Sequence, residues 1–330
     1  MKPRIVLTFG MFVGAAATMG AQSPNCPGGA LGSPALITQD ACQKAVDLFQ
    51  YMAPQLGGAI VGGNATLGQG GALGGLGHFS IGVRVNAIQG SVPRVNDVSA
   101  TPLPTGAVKT VYLTNDIPLP MPTADGALGL FGGIPLWVTN IGAVDALVSA
   151  SYIPDVNESS VTVKPDNPVK LGYGARIGLI QESILTPGVS VTYLRRDLPV
   201  LTMTGTSNAT FGATLKVSNF DEETTAWRVV ASKSFVVFGI AFGIGQDKYK
   251  SSATASANAL TQTSTSVSVS QEMSRTNLFG DISLNMPIFK LVLEAGQITG
   301  GAAPTTFNSF NGRGIVDSRL YGSLGLRLAW

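Results

Sequence analysis

The chain holds one histidine, His78, which stands two residues before Ser80. On an extended strand, residues two apart lie on the same face. An imidazole beside a hydroxyl there has the makings of a base and its nucleophile, the pair used in acyl transfer. A third group must orient the imidazole. Asn86 shares the face but lies ~20 Å beyond Ser80 along an extended strand, so another strand would have to supply the partner. No Asp or Glu neighbours His78, and the acids Asp221, Glu222 and Glu223 read as a solvated turn. A single histidine and two cysteines make no zinc site, so neither metal nor cofactor is predicted. The glycines from Gly68 to Gly77 lack the Lys-Ser/Thr and the helix that follow a phosphate-binding loop, and they read as turn or wall glycines. No catalytic residue is assigned. A hydrolase built on His78 and Ser80 stands third among the functional readings.

The element that carries His78 has a period of two. In "HFSIGVRVNAI", Phe79, Ile81, Val83, Val85 and Ala87 point one way. His78, Ser80, Gly82, Arg84 and Asn86 point the other way. The same alternation recurs in "KLGYGARIGLI", "SNATFGATLKV" and "FVVFGIAFGIG". By strict alternation the polar or glycine-rich row carries His78, Ser80, Arg84, Arg176, Lys216 and Glu294. A packed core would need bulk on that row, so it suits a lumen that is open or plugged. Charges there would tune solute passage, tie down a plug or merely stabilise the interior by pairing.

Further candidate strands lie near 59–67, 126–134, 143–153, 187–198, 225–234, 276–285, 288–298 and 318–330, with weaker ones at 109–114 and 262–271. Many have the ~9–11 residues of a strand that crosses a bilayer at a tilt. The prediction is an all-β protein, a transmembrane antiparallel β-barrel of about 12–14 strands with a short N-terminal helix. Long polar segments fall at 90–125, 154–169, 250–274 and 299–317. Counted back from the C-terminus, they do not all emerge at one end of such a barrel.

Composition agrees with this class. Charged residues are 12% of the 330, about half the usual share. Glycines number 41, and mean hydropathy is only +0.28. A net charge of +2 without basic runs leaves no nucleic-acid footprint.

Residues 1–21 read as a signal peptide: Lys2 and Arg4, then an apolar stretch, then small residues at Ala15, Ala17 and Ala21. An uncleaved anchor is the alternative. Residues 22–57 form a linker and helix, with Thr38 as N-cap and Pro54 and Gly57 at its end. In an exported chain, Cys26 and Cys42 favour a disulfide. This unit would be a plug or a periplasmic cap, or a helix beside the barrel mouth without a gating role. Residues 58–330 would form the barrel.

"YGSLGLRLAW" resembles the C-terminal strand signature of bacterial outer-membrane β-barrels. Leu324, Leu326, Leu328 and Trp330 fit the alternating apolar row, with Tyr321 at the start of the strand. The resemblance implies a Gram-negative outer membrane, contact with its lipid, and assembly by the barrel-assembly machinery. The helix followed by a glycine-rich barrel looks like uncharacterised outer-membrane proteins of environmental bacteria. More remotely it resembles long-chain fatty-acid-transporter-type barrels, which carry an N-terminal plug; their Asn-Pro-Ala signature is absent. The His-x-Ser spacing resembles that of outer-membrane phospholipases, but Ile81-Gly82-Val83 stands where their Asn-Gly-Arg follows the serine. The function implied is a passive channel or transporter for small solutes, hydrophobic ones included. The alternative is a structural or surface-binding barrel with a closed lumen.

Overall fold

The computed structural model describes residues 25–30, 33–99, 106–209 and 212–329. The predicted signal peptide and Trp330 lie outside the described residues. Among the described residues, ten antiparallel strands close into a ring. They are β1 (Phe79–Pro93), β2 (Thr114–Phe131), β3 (Ala143–Tyr152), β4 (Val169–Ile180) and β5 (Gly188–Asp197). The ring continues with β6 (Ala213–Ser234), β7 (Phe238–Ala259), β8 (Val267–Asn285), β9 (Lys290–Thr299) and β10 (Arg319–Ala329). Each pairs with the next, and β10 closes on β1 in the register Ser80↔Ala329 to Ile88↔Tyr321. A closed ring leaves no strand edge inside a membrane, where an unpaired backbone group is costly.

The alternation sorts side chains as a membrane requires. On β10, Leu324 is 56% exposed and Ser323 only 3%. Phe79, Ile81, Val83 and Val85 face outward on β1, while Ser80, Arg84 and Asn86 are buried inside. Tyr152, Tyr173, Tyr193 and Trp227 form an exposed aromatic girdle on β3 to β6, and Tyr193 and Trp227 sit opposite each other in register. Phe79, Phe131, Phe235 and Phe238 are exposed at the other end of the apolar band. Aromatic rings favour both interfaces of a bilayer. β6 and β7, at 22 residues each, rise beyond the band. There the outer face turns charged, as in the exposed Lys248–Glu272 pair.

The ring has fewer strands than the 12–14 expected, for two reasons. Residues 59–67 are not a strand: they hold the end of a helix and a loop inside the ring. The candidates at 207–217 and 225–234 belong to one strand, β6, carried across a bulge between Ser218 and Asp221. The acids Asp221 to Glu223 therefore stand within a strand rather than in a turn, and Glu222 is fully buried.

This fusion also settles the ends. Connections 132–142, 181–187, 235–237 and 286–289 fall at one end of the ring. Connections 94–113, 153–168, 198–212, 260–266 and 300–318 fall at the other. All of the latter except 260–266 are long, and strands Val161–Pro165 and Leu201–Thr206 extend the wall there. Barrels of this kind keep short turns in the periplasm and long loops outside.

The helix, α1, spans Pro34–Val61 and is 28 residues long. It starts earlier than expected, with Ser33 at the N-cap position and a proline in its first turn. Thr38 is inside the helix, and its hydroxyl donates back to the Ala35 carbonyl at 3.0 Å. It also runs through Pro54 and Gly57. Proline has no N–H to give the carbonyl four residues earlier, which here belongs to Gln50. Gln271 of β8 donates its Nε2 to that carbonyl at 3.4 Å, so the wall supplies the missing donor. The disulfide expected between Cys26 and Cys42 is formed. The wall itself begins at Phe79, so residues 58–78, expected in the barrel, continue from α1 through the lumen.

Candidate functional site

Beyond Ala35 the helix is buried or half-buried on every side. Ala41, Ala45, Phe49 and Ala53 pack on the inner faces of β6 and β7, among them Leu215, Val217, Phe220, Ala253 and Ala255. Phe49 meets Phe220 edge to face, with ring centroids 5.7 Å apart. This apolar contact explains Lys216. The row Ala213, Leu215 and Val217 faces the helix here, so Lys216 points outward and is exposed rather than lining the lumen.

The other side of α1 is polar and meets the long loops. Asp47 accepts the Asn308 N–H at 2.7 Å and the Asn308 amide at 2.6 Å. Asp40 accepts the Val108 N–H at 3.0 Å, and Lys44 donates to the Ser99 carbonyl at 2.9 Å. Tyr51, Phe310 and Tyr112 stack in series, with centroids 3.9 Å and 5.2 Å apart. Burial raises the Asp47 carboxyl above its usual value, and the N–H groups of Asn308, Gln43 and Phe307 oppose that shift. Burial, with Asp47 and Asp40 nearby, also pushes the Tyr112 phenol well up.

Below the helix the lumen is held by charge. The last carbonyls of a helix carry partial negative charge and lack partners. Arg196 donates to the Val61 carbonyl at 2.7 Å, and Asn277 and Arg228 donate to that of Gly62 at 2.9 and 3.3 Å. The chain then descends as a strap over residues 62–77. Glu294 accepts the N–H groups of Gly63 and Asn64 at 3.1 and 2.7 Å. Asp281 accepts from the Asn64 side chain at 2.7 Å and the Gly68 N–H at 2.9 Å. Arg84 donates to the Asn64 carbonyl and Arg327 to that of Leu67, both at 2.7 Å. Gly70 donates to the Ser232 hydroxyl at 2.7 Å, and Leu73 donates to Asp145 at 3.1 Å. Ion pairs brace these groups: Arg84–Asp125 at 2.9 Å, Arg196–Asp125 at 2.6 Å, Arg176–Asp145 at 2.7 Å, and Arg228–Asp247.

The glycines of the strap are not part of the wall: Gly68 and Gly77 sit in turns, closed by the Gln69 N–H on the Thr66 carbonyl at 3.1 Å and the His78 N–H on the Gly75 carbonyl at 3.2 Å, and others press against the wall. A Cβ on Gly63 would stand 2.6 Å from both the Glu294 carboxyl and the Tyr321 hydroxyl. On Gly70 it would stand 2.6 Å from the Ser232 backbone nitrogen. Only a chain without side chains at these points comes close enough for its backbone to bond the wall.

The predicted residues divide accordingly. Arg84, Arg176 and Glu294 are buried inside. Ser80 is buried as well, but His78 precedes β1 and is exposed at the short-turn end. No hydrogen bond among the described residues joins them, so the geometry assembles no serine–histidine pair. Tyr321 lies on the inner face, opposite to Leu324 and Leu326, and donates to Asn277 at 2.8 Å. It is therefore not part of the outward apolar row; Leu328 is on that row and half-buried. The sequence reading missed Asp125, Asp145, Asp281, Arg196 and Arg228. The same alternation, extended strand by strand, places them inward. It gives no sign of the strap they hold.

No protein-family model matches the chain, and no curated protein matches it. Solved structures similar to it include the following three. The CymD monoaromatic hydrocarbon channel shares 13% identity over 79% of this chain and 89% of its own, with a TM-score of 0.27. The outer membrane channel DcaP of Acinetobacter baumannii shares 9% over 80% and 100%, with a TM-score of 0.19. OmpT of Vibrio cholerae shares 6% over 77% and 97%, with a TM-score of 0.18. The chain's own architecture, a closed antiparallel ring with an apolar outer band flanked by aromatic girdles, is that of bacterial outer-membrane β-barrels.

Proposed function

We propose that the protein is an outer-membrane channel for small solutes, with residues 34–77 as its internal plug. One observation carries the reading: below α1 the strap is bound to the wall through polar groups. Its backbone N–H and C=O groups meet Glu294, Asp281, Arg84, Arg327 and Asp145. Water can replace such bonds, so displacing the strap would leave a charged, hydrated lumen instead of an exposed apolar core. Export through a signal peptide, folding by the barrel-assembly machinery and contact with outer-membrane lipid belong to the same proposal. The lipid-facing band and the C-terminal strand support it. The apolar seat of Phe49 on Phe220 favours a second reading, a structural or surface-binding barrel whose lumen stays closed.

Planar-bilayer recording decides between them. The wild type should show rare openings, and a Glu294→Gln, Asp281→Asn variant should open more often because its hold on the strap is weakened. Folded protein of both kinds that never conducts would leave the closed barrel.

A further inference from the structure

Three neighbours on adjacent strands share one level of the inner wall above the girdle. Glu222 of β6 pairs in register with Ser251 of β7, and Ser251 with Gln271 of β8. Cross-strand neighbours of this kind have their Cβ atoms about 5 Å apart. Glu222 is fully buried and Ser251 is 2% exposed. Both Glu222 carboxylate oxygens, the Ser251 hydroxyl and Gln271 Oε1 are buried without a well-formed hydrogen bond among the described residues, although the Ser251 hydroxyl is near enough to Glu222 to favour its charged form. Helix α1 closes the inner side through Gly57, where a Cβ would stand 2.7 Å from Glu222 Oε1.

The isolation of Glu222 is unlike the treatment of other acids in the lumen. Asp125, Asp145 and Asp247 each pair with arginine. Asp281 and Glu294 take backbone N–H groups. A buried carboxylate with neither is strongly disfavoured unless another charge neutralises it. The nearby groups are oxygens, which suit a hard cation. One carboxylate balances one positive charge, and a divalent ion would leave a net charge buried.

We propose that Glu222, Ser251 and Gln271 hold one alkali-metal cation between α1 and the barrel wall. The test is thermal unfolding of the detergent-solubilised full chain at fixed pH and ionic strength, in sodium, potassium, calcium or choline chloride. The expected result is a higher midpoint in sodium or potassium than in choline. That difference should vanish in Glu222→Gln and persist in Glu223→Gln. Ser251→Ala, which keeps the charge, should reduce it, and serves if Glu222→Gln fails to fold. Equal midpoints in all salts, a shift with calcium alone, or an alkali shift retained by Glu222→Gln would overturn the proposal. The first of these would mean a protonated or water-bonded carboxyl.

Discussion

Arg196, on the barrel wall, donates to the carbonyl of Val61, the last residue of the lumen helix, at 2.7 Å. The same guanidinium pairs with Asp125 at 2.6 Å. A wall cation thus neutralises the negative end of a helix the wall encloses, and it does so at the point where helix gives way to strap.

Arg196→Ala should release that end. Breaking a buried charged pair costs about 3 kcal/mol, toward the low side here because Asp125 keeps Arg84. The expected outcome is a lower unfolding midpoint and, in bilayers, more frequent openings. A variant with unchanged stability and conductance would remove Arg196 from the latch.

Asp47 ties α1 to the 300–318 loop, and burial raises its carboxyl above the ordinary 3.8. The folded chain therefore keeps a proton that the unfolded chain has lost in the window between 3.8 and the raised value. Stability from this group is full below 3.8 and is lost as pH rises through the folded value. Asp47→Asn does not titrate. The midpoint of the wild type minus that of Asp47→Asn should fall as pH rises through the window and level off above it. A difference that stays flat, or rises, would contradict this.

Phe310 lies between Tyr51 of the helix and Tyr112 of the 94–113 loop and is 2% exposed. Phe310→Ala should cost about 3 kcal/mol where the site cannot collapse. The loss should be local: amide exchange in the 94–113 and 300–318 loops should speed up while the strands of the band stay protected.

The N-terminal end of α1 lies among the long loops. Its Gln39 accepts from Ala107 at 3.4 Å, and Cys26 is bonded to Cys42 beside it. The chain then runs down the lumen to the short-turn end. An epitope placed just before Asn25 should therefore be bound by antibody on intact cells. Detection only after the outer membrane is opened would reverse this orientation.

Leu324 faces outward in the middle of the apolar row, and Leu324→Arg should cost about 2–4 kcal/mol at the bilayer midplane. Deleting Trp330, or Trp330→Asp, should impair membrane assembly and leave export intact. Heat-modifiable migration and protease resistance in cells check both.

The sequence by itself determined the faces of the wall. Alternation is a local property of an extended chain, so Ile81 and Val83 outside and Arg84 inside follow from a few consecutive residues. It did not determine the strand count. The bulge between Ser218 and Asp221 exists because Ala213–Ser218 and Asp221–Ser234 keep pairing with the same strand, β7. Nothing in "SNFDEE" distinguishes that from a turn. Reading it as a turn reversed every connection before it, which is why the long loops did not emerge at one end. The tertiary structure alone decided what the lumen holds. Pro54 should end a helix, and the glycines after it read as turn or wall. Gln271 and Glu294, more than 200 residues away, bind the backbone groups that local chemistry leaves free. Partners that distant in sequence leave no periodic mark on the segment they hold.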